Sequence, residues 1–421
     1  MLDLSLLQKA VSLVLNKKRQ SWLNVALCAL ITFLVLSTPA ILLPVMYSSI
    51  VDDTGWSLSQ VTMFSSLKFL SGAIASLVIS TIIVKVSAKK ILLSGVTLSG
   101  LALLSLGRGV SPGEFQVLGF VLGAASIATS LACKVILGYW FKVNLGKATG
   151  LAFMGGSVGG VTLPLLALPL IDSLGWQWTG AIFGLVLLVI VAPLTALLLV
   201  EKPDSGTQEQ KTTRLSRKDS LESESSSRAL LRDQKLRALL FAQFMIGFVD
   251  YAFFAHTPLF LELEAGLELS LATVGMSVMM LASMAGKVGF GALYDRYDLR
   301  GVTACWWLAT LGVAAAFPVA GTATLLVFAL LRGFSHGGAM ISGPSIALHT
   351  FGPTLAVRVV CYLSVANMLG ASIGTSIIAY IRDVTGSYDV ALQSLLALGT
   401  VASLIMWHLG KTRRFAIDAD I

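Results

Sequence analysis

Residues 22–49 read WLNVALCALITFLVLSTPAILLPVMYSS and contain no Asp, Glu, Lys or Arg. A helix rises about 1.5 Å per residue, so roughly 20 apolar residues are enough to cross the hydrocarbon core of a bilayer. The stretch therefore predicts a transmembrane helix. A strand of a transmembrane β-barrel would alternate apolar and polar residues, whereas this run is continuously apolar.

The whole chain has the composition of a membrane protein. Of its 421 residues, 56% are hydrophobic and only 12% are charged, which is too little polar surface for a soluble protein of this size. The apolar runs predict an all-α membrane protein with twelve transmembrane helices. We place them at 22–49, 57–84, 91–107, 114–138, 148–171, 178–200, 238–261, 270–293, 301–319, 323–350, 359–381 and 390–410.

The loops between these spans alternate in charge. One set carries most of the 30 Lys and Arg residues, and the other carries only Arg108 and Arg382. Because cytoplasmic loops are enriched in basic residues, both termini are expected in the cytoplasm, at the plasma membrane or at the inner membrane of a bacterium. The net charge of +8 is thus a sign of topology, and we expect no nucleic-acid partner.

The polar segments divide the chain into five parts. Residues 1–20 predict a cytoplasmic interfacial helix, since their basic residues follow the apolar part, unlike those of a signal peptide. Residues 201–237 are Ser-rich and charged, and predict a cytoplasmic linker that is largely disordered at its centre. This linker separates a six-helix bundle at 21–200 from another at 238–410, and residues 411–421 form a cytoplasmic tail.

The two predicted bundles resemble each other in sequence at an offset near 211 residues. GFVLGA from Gly119 matches GFSHGG from Gly333, and IDSLGW from Ile171 matches IRDVTG from Ile381 with one gap. Gly55 also pairs with Gly266. Parallel six-span repeats around an axis along the membrane normal place a substrate site at midplane between the halves. The two bundles are therefore expected to be pseudo-symmetric.

The loop after predicted span 8 reads GALYDRYDLR, from Gly291 to Arg300. It resembles the signature loop of the major facilitator superfamily, G-x-L-x-D-R-x-G-R. The resemblance implies a cytoplasmic gate formed by Gly291, Asp295, Arg296 and Arg300, in which the acid and the arginine latch neighbouring helices. Asp298 stands where the family has glycine, so we expect a different turn there.

Two further stretches resemble the monocarboxylate and oxalate/formate branch of that superfamily. They are GYWFKVNLGKATGLAFMGGSVGG from Gly138 and TGWSLSQVTM from Thr54. The resemblance implies alternating-access transport of a small organic anion. It also implies that a basic residue at the position of Lys287 binds the substrate carboxylate. The glycines of predicted span 5 suit either a helix that rocks or ordinary tight packing.

Four basic residues lie inside predicted spans, namely Lys68, Lys134, Lys287 and Arg332, and Asp250 is the one acid at comparable depth. Charges within a membrane are costly and are functional candidates by default. An excess of positive charge points to an anionic substrate. Lys134 lies near the aromatic cytoplasmic end of its span, where we expect its ammonium to snorkel to the interface.

The candidate substrate site combines six residues, each with an open alternative. Lys287 either binds substrate or snorkels, and Arg332 either binds a carboxylate with its fork or pairs with Asp250. Asp250, followed by Tyr251, could be a counter-ion, a proton carrier or a packing group. Lys68 could bind substrate or form a structural pair. The remaining candidate is His336, one turn after Arg332, which could carry a proton or be merely hydrogen-bonded.

No other class of function has a comparable signal. The sequence lacks a nucleotide-binding loop, a metal-ligand cluster and a nucleophile–base constellation, so we predict neither an enzyme nor a cofactor or metal site. We predict a secondary transporter, functional as a monomer, that moves a small organic anion by proton symport or anion exchange. The alternatives are a proton-coupled efflux carrier for amphipathic compounds, and a transporter-like receptor or scaffold without flux.

Overall fold

The computed structural model describes residues 17–82, 86–141, 145–203 and 230–412, and the regular elements within these ranges are helices. We number the long helical segments α1–α12 in chain order. They are α1 Lys17–Val45, α2 Leu58–Ile82, α3 Ala88–Leu104, α4 Pro112–Trp140, α5 145–174, α6 176–198, α7 Gln234–Glu264, α8 Leu269–Tyr297, α9 Leu299–Ala314, α10 Thr322–Gly352, α11 Val359–Thr385 and α12 Asp389–Thr412.

The twelve predicted spans are confirmed as helices. In the described part of the chain, ten helical stretches are long and apolar enough to cross a membrane. One of them, Ala148–Leu198, contains both α5 and α6, because Gly175 at φ 79° interrupts the helix. The helix α9 is apolar but shorter than the others. Gly352 at φ 73° separates α10 from α11 in the same way.

Local chemistry fixes several helix starts. At the start of α4, Ser111 and Glu114 form a reciprocal capping box, and Pro112 occupies a position where no backbone donor is needed. At the start of α7, the Asp233 carboxylate accepts hydrogen bonds from the backbone of Lys235 and Leu236. The helix therefore begins at Gln234, a few residues before the predicted start of the span.

The internal repeat is visible in how glycines pack helices together. A Cβ added at Gly119 would collide with the Phe64 carbonyl of α2, and one added at Gly333 would collide with the Met279 carbonyl of α8. The next glycine on each helix repeats the contact one turn further along. Thus α4 packs on α2 as α10 packs on α8, which places the matching sequence motifs in matching helix pairs.

We call α1–α6 the first half, α7–α12 the second half, and their contact surface the seam. The side of the bundle that carries most basic loop residues is called the basic side, and the other the opposite side. Hydrogen bonds across the seam join Ser59 to Asp383, Ser66 to Ser372 and Ser277 to Val161, toward the opposite side. The halves are therefore held together on the opposite side.

The predicted end segments lie mostly outside the described residues. These are residues 1–16 of the expected interfacial helix, 204–229 of the expected linker and 413–421 of the expected tail. Residues 17–20, assigned to the interfacial segment from sequence, belong to α1. The division into five parts remains a prediction.

Candidate functional site

The carboxylate of Asp250 lies in the middle of α7, in a π-helical turn at Phe248–Ala252. Such turns widen the helix by one residue and occur frequently at functional sites. Facing it on α10 are Arg332 and His336, which lie one helical turn apart and therefore project from the same face. The structure thus brings three of the six predicted site residues into direct contact.

Arg332 binds α7 through both of its terminal nitrogens. Its Nη1 donates to Asp250 Oδ1 at 2.8 Å, while its Nη2 donates to the carbonyls of Asp250 at 2.8 Å and Val249 at 3.1 Å. Arg332 and Asp250 both have zero solvent exposure, and Arg332 Nε is buried without a hydrogen-bond partner among the described residues. Of the two roles predicted for Arg332, this conformation contains the ion pair with Asp250.

His336 forms a hydrogen bond with the second oxygen of the Asp250 carboxylate. Its Nδ1 lies 2.7 Å from Asp250 Oδ2, and its ring stacks on Phe254 with centroids 4.5 Å apart and planes 11° apart. The Tyr251 ring meets His336 edge-on at 5.3 Å. Asp250 therefore bridges two side chains of α10. The Nδ1–H of His336 donates to the carboxylate, which fixes the orientation of the imidazole.

Lys68 has no carboxylate partner in the part of the chain that the structure describes. It is only 8% exposed, and its Nζ donates to the Pro39 carbonyl at 3.0 Å and lies 4.4 Å from the centroid of the Phe69 ring. Pro39 belongs to a π-helical turn of α1, at Thr38–Leu42. Among the described residues no acid lies within ion-pair distance of this ammonium.

Lys287 also lacks an acid among the side chains that the structure describes. Its Nζ donates to Ser157 Oγ at 2.9 Å, a bond that crosses the seam from α8 to α5. The lysine is half-buried, and its backbone packs against Gly337, the residue after His336. The predicted snorkelling of Lys287 is therefore absent in this conformation, in which its ammonium is held at the seam.

Aromatic rings connect these groups across the seam. The Phe69 ring, under the ammonium of Lys68, meets the Tyr251 ring edge-on at 6.0 Å. Tyr251 in turn contacts His336. Lys68 and the Asp250 cluster are thus neighbours across one aromatic pair, whereas Lys134 lies apart from them, exposed and 5.2 Å from the Phe153 ring.

Asp298, which stands where the family pattern has glycine, adopts φ 51° and ψ −132°, a conformation that favours glycine. Whether the turn differs from that of the family stays a prediction. Its carboxylate pairs with His349 Nε2 at 2.7 Å, at the end of α10. Arg296 and Arg300 are exposed, and Gly291 has only the Ile341 side chain near it. The side chain of Asp295 lies outside the described set, so the latch remains a prediction.

Sequence reasoning missed three contributors to this region. Ser157 is a small residue in a glycine-rich helix, and nothing in its neighbourhood marks it as the partner of Lys287. Phe69 becomes relevant only through the fold. Glu262 was placed just beyond the predicted end of span 7, but α7 continues to Glu264, so a second acid lies within that helix.

The cysteines and His256 lie outside this cluster. All four cysteines are free, and the described residues hold no group of His, Cys, Asp and Glu suited to a metal. His256 is buried between the Tyr388 hydroxyl at 3.2 Å and the Thr375 carbonyl at 2.9 Å. Burial raises the pKa of Tyr388, in the α11–α12 connection, well above its usual range.

Curated proteins similar to this chain are transporters by name. It is 25% identical to the MFS-type transporter pytF of Aspergillus terreus over 160 residues, 38% of this chain and 50% of that protein. It is 24% identical to the probable nitrate transporter NarT of Staphylococcus aureus over 310 residues, 72% of this chain and 74% of that protein. The chain thus spans about half the length of the first relative.

Solved structures share the fold. A bacterial homologue of the human lysosomal transporter Spinster, in an inward-facing unoccupied conformation, superposes with a TM-score of 0.76 at 16% identity, over 94% of this chain and 98% of that one. The nucleoside transporter NupG superposes with a TM-score of 0.72 at 14% identity, over 94% and 99%. These likenesses establish the fold of twelve helices in two pseudo-symmetric bundles.

The family model described as Major Facilitator Superfamily matches residues 25–375. This range includes the helices that carry Lys68, Asp250, Lys287, Arg332 and His336, and most of the seam between the halves. The resemblance of the gate loop to the superfamily signature is therefore confirmed at the level of the superfamily. The chain belongs to the Major Facilitator Superfamily.

Proposed function

We propose that this protein is a secondary transporter that moves a small organic anion, specifically a monocarboxylate, by alternating access. The observation that carries the proposal is the ammonium of Lys68, which is buried beside the seam with a main-chain carbonyl and an aromatic ring as its partners. Burying an unpaired charge costs several kcal/mol in general, so an anion that binds there would relieve a standing penalty.

Lys287 supplies a second positive charge at the seam. Its Ser157 partner is neutral, and no described acid lies within ion-pair distance of the ammonium. A Lys ammonium has three donors, and one bond to Ser157 leaves two for carboxylate oxygens. Because Lys68 belongs to the first half and Lys287 to the second, an anion between them would contact both moving bodies, as alternating access requires.

The pairing of Arg332 with Asp250 leaves Lys68 and Lys287 as the basic groups available to a substrate. The similarity to a probable nitrate transporter supports a planar, monovalent oxyanion, which nitrate and a carboxylate share. Resemblance to the monocarboxylate branch favours the carboxylate.

The excess of basic residues in one set of loops places the basic side and both termini in the cytoplasm. The membrane is then the plasma membrane or the inner membrane of a bacterium. A single chain contains both halves and the complete seam, so a monomer suffices. The efflux-carrier alternative would use Asp250 for proton exchange, but in this conformation that carboxylate is tied to Arg332 and His336.

The test is uptake of lactate, formate, oxalate and nitrate into proteoliposomes, with tetraphenylphosphonium as a cationic probe. We expect wild type to take up at least one monovalent anion, and Lys68→Gln and Lys287→Gln to lose that uptake. Lys134→Gln is the matched control, since it removes an exposed lysine that takes no part in the seam hydrogen bonds described above. Uptake of the cation alone would instead support the efflux carrier, and no flux of any probe would support a receptor or scaffold.

A further inference from the structure

Glu262 lies in the last turn of α7, in a second π-helical turn at Phe260–Glu264. This turn is at the opposite side of the bundle, next to the seam. Its Oε1 is completely buried and has no hydrogen-bond partner. The hydroxyl of Ser48, which belongs to the first half and is 7% exposed, lies beside this carboxyl. The carboxyl of Glu262 therefore faces the first half across the seam.

The charges around Glu262 favour its neutral form. Asp52, one turn after Ser48, is close enough to repel an ionised Glu262. No base of the described chain forms an ion pair with it. An ionised carboxyl would thus have one oxygen with neither water nor a donor, next to a like charge, which is strongly unfavourable.

Four other titratable groups on this side have partners of their own. Asp53 accepts from Trp176 and Gln177, Asp383 accepts from the backbone of Ser59, and His256 is bonded to Tyr388 and Thr375. Glu264 accepts from Ser387 and from the backbone of Tyr388, and it faces Arg382 at 3.7 Å. None of these groups offers Glu262 a compensating positive charge.

We infer that the Glu262 carboxyl is a proton-binding site that is occupied while the opposite side is closed and is emptied when that side opens. When the halves separate there, Ser48 and Asp52 withdraw and water reaches the carboxyl, which then ionises. Closing the seam again requires the carboxylate to take up one proton and become the neutral acid. Proton uptake from the opposite side is thereby linked to closure of that side.

This inference rests on the proposed transport cycle and makes the closure of its opposite side depend on pH. The proton is taken up from the opposite side and returned to it, so it sets the ratio of closed to open molecules and is not carried across with the anion. A single linked proton changes the ratio of closed to open molecules by up to about tenfold per pH unit.

The test measures the opening of the opposite side directly and needs no substrate. Spin labels at Ser57→Cys and Val390→Cys, which are exposed positions in different halves, report the separation by pulsed electron paramagnetic resonance in a Cys361→Ala background. We expect wild type to shift from the short to the long distance between pH 5 and pH 8. Glu262→Gln should stay at the short distance at both pH values.

Two variants keep the test decisive. Asp53→Asn, a neighbouring acid with its own donors, should shift with pH as wild type does, and Glu262→Asp should retain a shift. If Glu262→Gln misfolds, loss of the monodisperse peak will show it, and Glu262→Asp must then show an altered midpoint. A pH shift that survives unchanged in Glu262→Gln, or no shift in wild type, overturns the inference.

A transport measurement separates this inference from the proposed function. Nitrate and lactate uptake are recorded between pH 5 and pH 8 on the opposite side, with protein-free liposomes to subtract leakage of neutral lactic acid. Anion uptake with the same pH dependence in wild type and Glu262→Gln would leave the anion transporter standing and remove the proton site. Absence of anion uptake with an intact Glu262-dependent distance shift would keep the proton site and reject the anion transporter.

Discussion

Each half places a basic side chain against a π-helical turn, but only one of these two bases has an acid as its partner among the described residues. In the second half, Arg332 of α10 donates to carbonyls of the α7 turn and pairs with Asp250. In the first half, Lys68 of α2 donates to a carbonyl of the α1 turn, and no described acid lies within ion-pair distance of it. The two bases lie on helices that are not equivalent in the repeat. The halves thus differ in how they balance a buried base, and Lys68 is where we propose that an external anion acts.

The largest effect is expected from removing the acid of the Arg332–Asp250 ion pair. Asp250→Ala leaves Arg332 buried and unpaired, so we expect a loss of about 3–5 kcal/mol of stability. Thermal unfolding in detergent, followed by size-exclusion chromatography, measures the change. The double variant Asp250→Leu/Arg332→Met should recover much of the loss, because the uncompensated charge is gone. Wild-type stability in Asp250→Ala would show that the pair is not a stabilising unit.

Removal of the Lys68 charge should have the opposite effect on stability. Lys68→Met removes a buried cation whose side-chain hydrogen bond goes only to the Pro39 carbonyl, so stability should be unchanged or higher. Affinity for the transported anion should fall by about 1.5–3 kcal/mol, or roughly 10- to 150-fold, the usual range for a hydrogen bond to a charged group. Anion uptake at varied concentration, with thermal unfolding in parallel, measures both. Severe unfolding with unchanged apparent affinity would make Lys68 structural.

The shared scaffold should respond equally in both halves. Gly119→Ala and Gly333→Ala each force a Cβ into a backbone carbonyl of the neighbouring helix, so each should cost about 1–3 kcal/mol. Gly343→Ala, at an open position with no atom within 4 Å, is the matched control. Thermal unfolding compares the three variants. A large loss in only one half would mean that the repeated motifs do not have equivalent packing roles.

The smallest effect is expected at the turn of the gate loop. Asp298→Gly removes the strain of a positive φ at a residue with a side chain, a gain of about 1 kcal/mol at the low end of the range for such strain. The lost contact with His349 offsets part of it, because the Asp298 side chain is 52% exposed and surface ion pairs contribute little. Asp298→Asn keeps the backbone strain and loses the charge. Greater stability of Asp298→Asn than of Asp298→Gly would exclude backbone strain as the cause.

The sequence predicts the fold well and the site only in part. Apolar runs such as residues 22–49 and the glycine motifs at Gly119 and Gly333 are local signals, and these determined the spans and the repeat correctly. The pairing of Arg332 with Asp250 was one of two open roles, because spacing alone cannot say which side chains meet. The isolation of Lys68 and the bond from Lys287 to Ser157 depend on contacts between distant helices, which no local pattern encodes.

The most direct test of anion binding at Lys68 is equilibrium binding of the transported anion to purified protein by isothermal titration calorimetry. We predict that wild type and Lys134→Gln bind with the same affinity, that Lys68→Gln and Lys287→Gln each bind at least about tenfold more weakly, and that the double variant shows no measurable binding. Wild-type affinity in Lys68→Gln would contradict the account, since the anion would then not use the base that the first half leaves without an acid.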